Sequence, residues 1–133
     1  MAEILQAQPR RQIELIATWN TEISARMAGL SEMADAAAHA DPEITVLRDA
    51  LRQKRLGDFR LMAQSLADKG TLRPGLTLDE AADILYTLNW DALYGVLVLQ
   101  RGWSPDRYRT WLTQMLETAL LRKEDSYSSG GQP

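Results

Sequence analysis

Residues able to do acid–base, nucleophilic or metal chemistry are few in this chain. His39 is its one histidine, and cysteine is absent. Common general-base and nucleophile schemes lean on those two side chains, so the sequence supplies no catalytic set. Asp35 lies one helical turn before His39, and Asp41 is close by. A metal site needs three or four converging ligands, and a solvated helix end is the simpler reading. Arg48, Arg52 and Arg55 recur along one helical stripe, with Lys54 and Arg60 near them. Such a stripe would suit phosphate. Asp49 and Asp58 interleave with it and Glu43 precedes it, so a salt-bridged solvent face is expected instead. No glycine-rich phosphate loop, nucleophile elbow or Ser-His-Asp set is present. The chain is expected not to be an enzyme and to need neither cofactor nor metal.

A second constellation is apolar and aromatic with a few polar groups. Trp19, Asn20, Ile23 and Met27 recur at helical spacing, as do Phe59, Met62 and Leu66, and as do Tyr86, Asn89, Trp90 and Leu93. Three such faces turned toward each other would form a mostly apolar pocket with few hydrogen-bonding groups, the usual setting for a small molecule. Methionine adapts to varied shapes. On periodicity alone, a well-packed core is the plainer reading of these stripes.

The elements that would position these residues are all helical. Pro9 suits a helix start, and Ile13, Ile16, Ala17, Trp19, Ile23, Met27 and Leu30 follow at helical spacing, with Gly29 as the bend or stop. A short alanine-rich helix is expected over 30–38. Asp41-Pro42-Glu43 reads as N-cap, first-turn proline and first-turn acid of a third helix running to about Lys69. Its apolar stripe is Ile44, Leu47, Leu51, Leu56, Phe59, Met62 and Leu66, and its internal Gly57 suggests close packing. Gly70 and Arg73-Pro74-Gly75 form a stop and a tight turn. Thr77-Leu78-Asp79-Glu80 is a capping box. Capping and dipole compensation account for Asp79, Glu80 and Asp83. The fourth helix runs to about Arg101, where Gly102 stops it; Ser104-Pro105 starts a fifth, to about Arg122. The fourth helix is apolar nearly all round, with Ile84, Tyr86, Trp90, Tyr94, Val98 and Leu99 outside its main stripe. A helix of that kind is buried on more than one side; in a short chain, one side is expected to meet a second copy.

With 133 residues the chain is one domain, expected over 1–124, followed by a polar, disordered tail over 125–133. At this size about two thirds of the unfolded surface can be buried without staples. A net charge of −3 argues against a dedicated nucleic-acid or anionic-membrane binder. No apolar run is long enough to span a bilayer, and the lack of cysteine fits a cytoplasmic protein.

Taken in order, Gly70-x-Leu72-Arg73-Pro74-Gly75-Leu76-Thr77-x-Asp79-Glu80-Ala81-Ala82-Asp83-Ile84-Leu85, then Leu93-Tyr94, Arg101-Gly102-Trp103-Ser104-Pro105-Asp106-Arg107-Tyr108 and Trp111-Leu112 resemble the C-terminal regulatory domain of TetR/AcrR-type transcriptional regulators. Ala40-Asp41-Pro42-Glu43-Ile44 adds to the likeness, which extends over residues 8–121. It implies an all-α bundle of about five helices whose last two helices form a four-helix dimer interface. Val96, Trp103, Tyr108, Trp111, Leu112, Met115 and Leu116 are then the interface residues, and the chain is a homodimer. The resemblance also favours the pocket over the packed core, with a small apolar or aromatic effector held between helices. Two departures stand out. Relatives begin with a helix-turn-helix domain for which this chain has no room, so DNA would be reached only through an N-terminal domain absent here, in a cut or naturally headless chain. And Asn89-Trp90-Asp91 stands where relatives often kink at a Ser/Thr-Pro-like step. The competing expectation is a helical homodimeric interaction module without ligand, or a headless partner of a full-length regulator.

Overall fold

The computed structural model describes residues 1–27 and 30–123. The expectations for Gly29 and for the tail over 125–133 lie outside the described residues. The architecture is an all-α bundle: α1 (Ala2–Gln6), α2 (Pro9–Met27), α3 (Leu30–Ala40), α4 (Pro42–Asp68), α5 (Leu78–Leu88), α6 (Asp91–Tyr94), a π-helical stretch (Gly95–Gln100) and α7 (Pro105–Leu120). The one departure from helix pairing among the described residues is an isolated antiparallel bridge between Leu72 and Leu121.

Local chemistry sets the boundaries. The Asp41 carboxylate accepts from the Glu43 N–H at 2.9 Å and starts α4 with Pro42 in its first turn. The Thr45 hydroxyl donates to the Ala38 carbonyl at 2.6 Å, closing the α3–α4 hairpin. At the far end of α4, the Lys69 ammonium donates to the carbonyls of Leu5 and Ala7 and to Gln12 Oε1. One cation thus fastens α1 and the start of α2 to the carbonyl end of α4, where positive charge is favoured. Gly70 and Gly75 take φ of 68° and 84°, a region open to glycine at little cost. Thr77 and Glu80 exchange both hydrogen bonds of the capping box, and the Thr77 N–H holds the Glu80 carboxyl below its ordinary value. Ser104 accepts from the Arg107 N–H at 3.1 Å and starts α7.

Two stretches depart from the sequence reading. The expected fourth helix is broken. Asn89 ends α5, its side-chain amide doubling onto the Leu85 carbonyl at 2.8 Å, and Trp90 is extended (φ −68°, ψ 132°) before α6 begins. Asparagine competes with helix continuation by this kind of local bond. Past α6 the turns widen, and the Arg101 N–H reaches the Val96 carbonyl at 2.9 Å. The second departure is α4, whose first half is less buried than its stripe implied: Leu47 and Leu51 are 60% and 59% exposed. Phe59, Met62, Ala63 and Leu66, in the second half, carry the burial of α4.

The core is built where α4 packs on α5, α2 on α7 and α5 on α7. Ile13, Ile16 and Ala17 meet Phe59, Met62 and Leu66, with Ala81, Ala82 and Leu85, and with Tyr108, Leu112, Leu116 and Leu120. Alanines at 63, 81 and 82 let α4 and α5 approach closely. Gly57 plays no such part: it is exposed, and a Cβ there would meet nothing within 4 Å. Gly57→Ala is therefore expected to stabilise the chain by about 0.5–1 kcal/mol in urea denaturation; a loss of stability would restore a packing role for this glycine.

Candidate ligand-binding site

The site lies at the break between α5 and α6. Two runs of rings approach it. One passes from Trp19 on α2 to Phe59 on α4 (centroids 6.5 Å apart), to Tyr86 on α5 (6.4 Å) and to Trp90 in the break (5.5 Å). The other passes from Tyr94 on α6 to Tyr108 on α7 (5.1 Å), to Trp111 (5.9 Å) and to Trp103 (6.2 Å). Edge-to-face contacts dominate both, the arrangement that ring quadrupoles favour.

Between the runs stands Arg55. Its guanidinium donates to Asn20 Oδ1 at 3.2 Å, to Asp91 Oδ1 at 3.2 Å and to the Asn89 carbonyl, and it lies 5.8 Å from the Phe59 ring centroid. One planar cation thereby joins α2, α4, the carbonyl end of α5 and the first turn of α6. On α2, α7 and the break, four buried side-chain polar atoms have no hydrogen-bond partner: Asn20 Nδ2, Ser24 Oγ, Asn89 Oδ1 and the Tyr108 hydroxyl. Ser24 is one turn beyond Asn20 on α2. The Tyr108 hydroxyl faces the Asn20 side chain without a bond of acceptable geometry, and burial pushes its pKa up to about 12. It stays a neutral phenol at any physiological pH.

Of the ligand-set residues, Trp19, Asn20, Phe59, Tyr86, Asn89 and Trp90 come together around Arg55. Met62 and Leu66 are buried further along α4, in the general core; Ile23 and Leu93 are half-buried, and Met27 is 42% exposed. The rings are packed on one another. The two recesses that stand out are open to solvent. One, about 420 Å³, lies between α4 and α5 against Asp49, Arg52, Gln53, Leu56, Asp83 and Tyr86. The other, about 370 Å³, is lined by Asp83, Ile84, Thr87, Leu88 and Ala119. Tyr86 alone of the ligand set borders either.

The interface set divides sharply, and here the structure corrects the sequence reading. Tyr108, Leu112 and Leu116 have no exposed surface; they form the inward stripe of α7 and cannot meet a second chain. Val96 and Met115 are exposed, and Trp103 and Trp111 are half-buried. A helical wheel shows that α7 is apolar on two flanks, and the core takes the flank of 108, 112, 116 and 120.

Sequence reasoning missed Arg55, Ser24 and Asp91 as members of the site. Arg55 was read with the solvated arginine stripe. The rest of that stripe is indeed salt-bridged: Arg52 to Asp35 at 3.2 Å, Arg48 to Asp35 and Asp49 at 3.8 and 3.4 Å, Lys54 to Asp58 at 3.8 Å, and Arg60 to Asp79. Arg52 also lies 5.1 Å from the Trp90 ring. One signal was available: Asn20 and Ser24 interrupt an apolar stripe at i, i+4, which marks a polar face turned inward. Among the described residues no group of three or more His, Asp or Glu could hold a metal ion, and no helix is long and apolar enough to cross a membrane. Comparison with family models, curated proteins and solved structures gave no match.

Arg55→Met removes the partner of two buried groups and of Asp91. Each buried group left unsatisfied costs about 1–3 kcal/mol, so a loss of about 2–4 kcal/mol is expected in urea denaturation. Arg52→Met, which breaks a solvent-accessible pair, is expected to cost less than about 1 kcal/mol. Equal losses would remove Arg55 from its special place.

Proposed function

We propose that this chain is the effector-binding and dimerisation domain of a TetR-like transcriptional regulator. One observation supports the reading above the others. The long helix expected over 78–101 is interrupted, and a polar knot among stacked rings ties the interruption to α2 and α4. A molecule that enters there displaces α6 relative to α4. An effector acts only through a difference in affinity between two conformations, and a broken helix supplies the second conformation at low cost. DNA is reached through a helix-turn-helix domain outside this sequence.

The chain works as a homodimer. Its pairing face is the flank of α7 that carries Trp111, Met115 and Ala119, together with Ile84 and Leu88 across the apolar recess on α5 and Val96 beyond the break. These side chains have surface left after the subunit's own core is complete, and apolar helix faces with aromatic members are typical of the centre of an interface.

A ligand-free interaction module is the second reading, favoured by the close packing of rings around Arg55. Native mass spectrometry of protein purified from its source cells separates the two: a co-purified small molecule supports the effector reading, and a dimer of bare chains supports the module.

Met115→Glu places a charge on the proposed pairing face without touching the core. It is expected to give a monomer with unchanged helical circular dichroism, read by sedimentation velocity. Leu112→Ala, inside the subunit, is expected to lose about 2–5 kcal/mol of stability. A Met115→Glu variant that stays dimeric would place the pairing surface elsewhere.

A further inference from the structure

We infer that Asn20, Ser24, Asn89 and Tyr108 form a buried hydrogen-bonding subsite for the neutral polar head, hydroxyl or carboxamide, of a small aromatic molecule. The inference rests on the effector-binding reading and gives that effector a chemical class.

The four side chains are all buried, and each presents an atom without a partner. Buried polar atoms are nearly always satisfied, and a specific exception calls for a cause. Here two of the exceptions belong to residues bonded by Arg55, and the other two flank Asn20. Asn20 Oδ1 and the Asn89 carbonyl share the same Arg55 nitrogen, Tyr108 faces Asn20, and Ser24 follows Asn20 by one turn. Arg55 donates to Asn20 Oδ1, and Asn89 Nδ2 donates to the Leu85 carbonyl at 2.8 Å, which fixes the two amide orientations. Asn20 Nδ2 is thereby left as a donor and Asn89 Oδ1 as an acceptor, while the two hydroxyls can do either. That is the complement of a group that both donates and accepts.

The electrostatics select a neutral head. Arg55 is paired with Asp91 at 3.2 Å, and the Tyr108 phenol keeps its proton. A charged head would enter a buried place whose own charges are already balanced, at a large desolvation cost. The walls select an aromatic body: Phe59 lies under Arg55, and Tyr94 stands edge-on to Tyr108. The rings are packed on one another, so the subsite admits a ring only if α6, four residues long and preceded by an extended residue, moves. Behind it the π-helical stretch begins at Gly95. Wide turns of this kind are often found at functional sites. Water is the smallest molecule with the same hydrogen-bonding capacity, so the test distinguishes it from an organic head.

The test titrates ¹⁵N-labelled full chain with benzamide and with benzyl alcohol, against toluene as the isosteric apolar control. The side-chain amide signals of Asn20 and Asn89 are followed. Both polar probes are expected to move both signals saturably, with toluene at least tenfold weaker. Tyr108→Phe and Ser24→Ala each remove one hydroxyl and leave the carbon packing of the core in place, so each variant is expected to keep its fold. Each is expected to weaken benzamide by about three- to tenfold, the size of one hydrogen bond. If toluene moves the signals as well as benzamide, the polar subsite is overturned while the effector reading stands. If no probe moves them, the four atoms hold water alone and the subsite is overturned; the effector reading is then decided by the co-purified molecule, a separate measurement. If benzamide binds but neither variant weakens it, the hydroxyls are no part of the subsite and the assignment is wrong.

Discussion

One guanidinium holds the centre of this molecule. Arg55 comes from the middle of α4 and bonds to a side chain of α2, to the carbonyl of Asn89, which caps α5, and to the first turn of α6. A helix end buried without a partner is costly, and the break after Leu88 creates one in the interior. Arginine suits the place, since its planar fork serves several acceptors at once and remains charged under all conditions. Without it, α5 could end as it does only by exposing the Asn89 carbonyl. The packing of α4 on α5 and of α2 on α7 then follows from ordinary apolar burial on either side of the polar centre.

Much of the fold was legible because it is written in short-range chemistry. Asp41-Pro42, the box at Thr77 and Glu80, and Ser104-Pro105 each fix a helix start through bonds spanning two or three residues. The break was harder to read. Asn89-Trp90-Asp91 was visible as an oddity in a long helix, but the partner of the Asn89 carbonyl at the break is Arg55, 34 residues earlier. Nothing local marks Arg55 apart from Arg48 and Arg52, which share its stripe and find carboxylates near the surface. Three members of the interface set, Tyr108, Leu112 and Leu116, lie inside the subunit for a related reason. Periodicity identifies apolar flanks on α7, and it cannot say which flank the subunit's own core takes. Gly57 was misread because a mid-helix glycine suggests contact, and here there is none.

The two ends of the bundle differ in finish. Around Lys69, Thr71 and the Leu72–Leu121 bridge, the chain is knitted by hydrogen bonds between distant segments. At the other end, the first half of α4 leaves Val46, Leu47 and Leu51 exposed, backed by the alanine-rich α3. The polar centre with its four partnerless atoms lies between these regimes. That placement suits a domain in which one end serves as anchor while the break transmits a change. In the TetR-like reading, the pairing face on α5 and α7 fixes two such domains together, so that a shift of α6 in each is felt relative to a common axis.

The pairing face is the claim on which the proposed function most depends, because the proposal has the chain act as a symmetric pair. The absence of cysteine makes it directly measurable. A single cysteine at Thr118, exposed and next to Ala119 on α7, can carry a spin label, with a second protein labelled at Val46 for comparison. Double electron–electron resonance is expected to give one narrow inter-subunit distance from position 118, shorter than the distance from position 46. A longer distance from 118 than from 46 would put the exposed half of α4 at the interface, and no dipolar signal from either would mean that the chain does not pair.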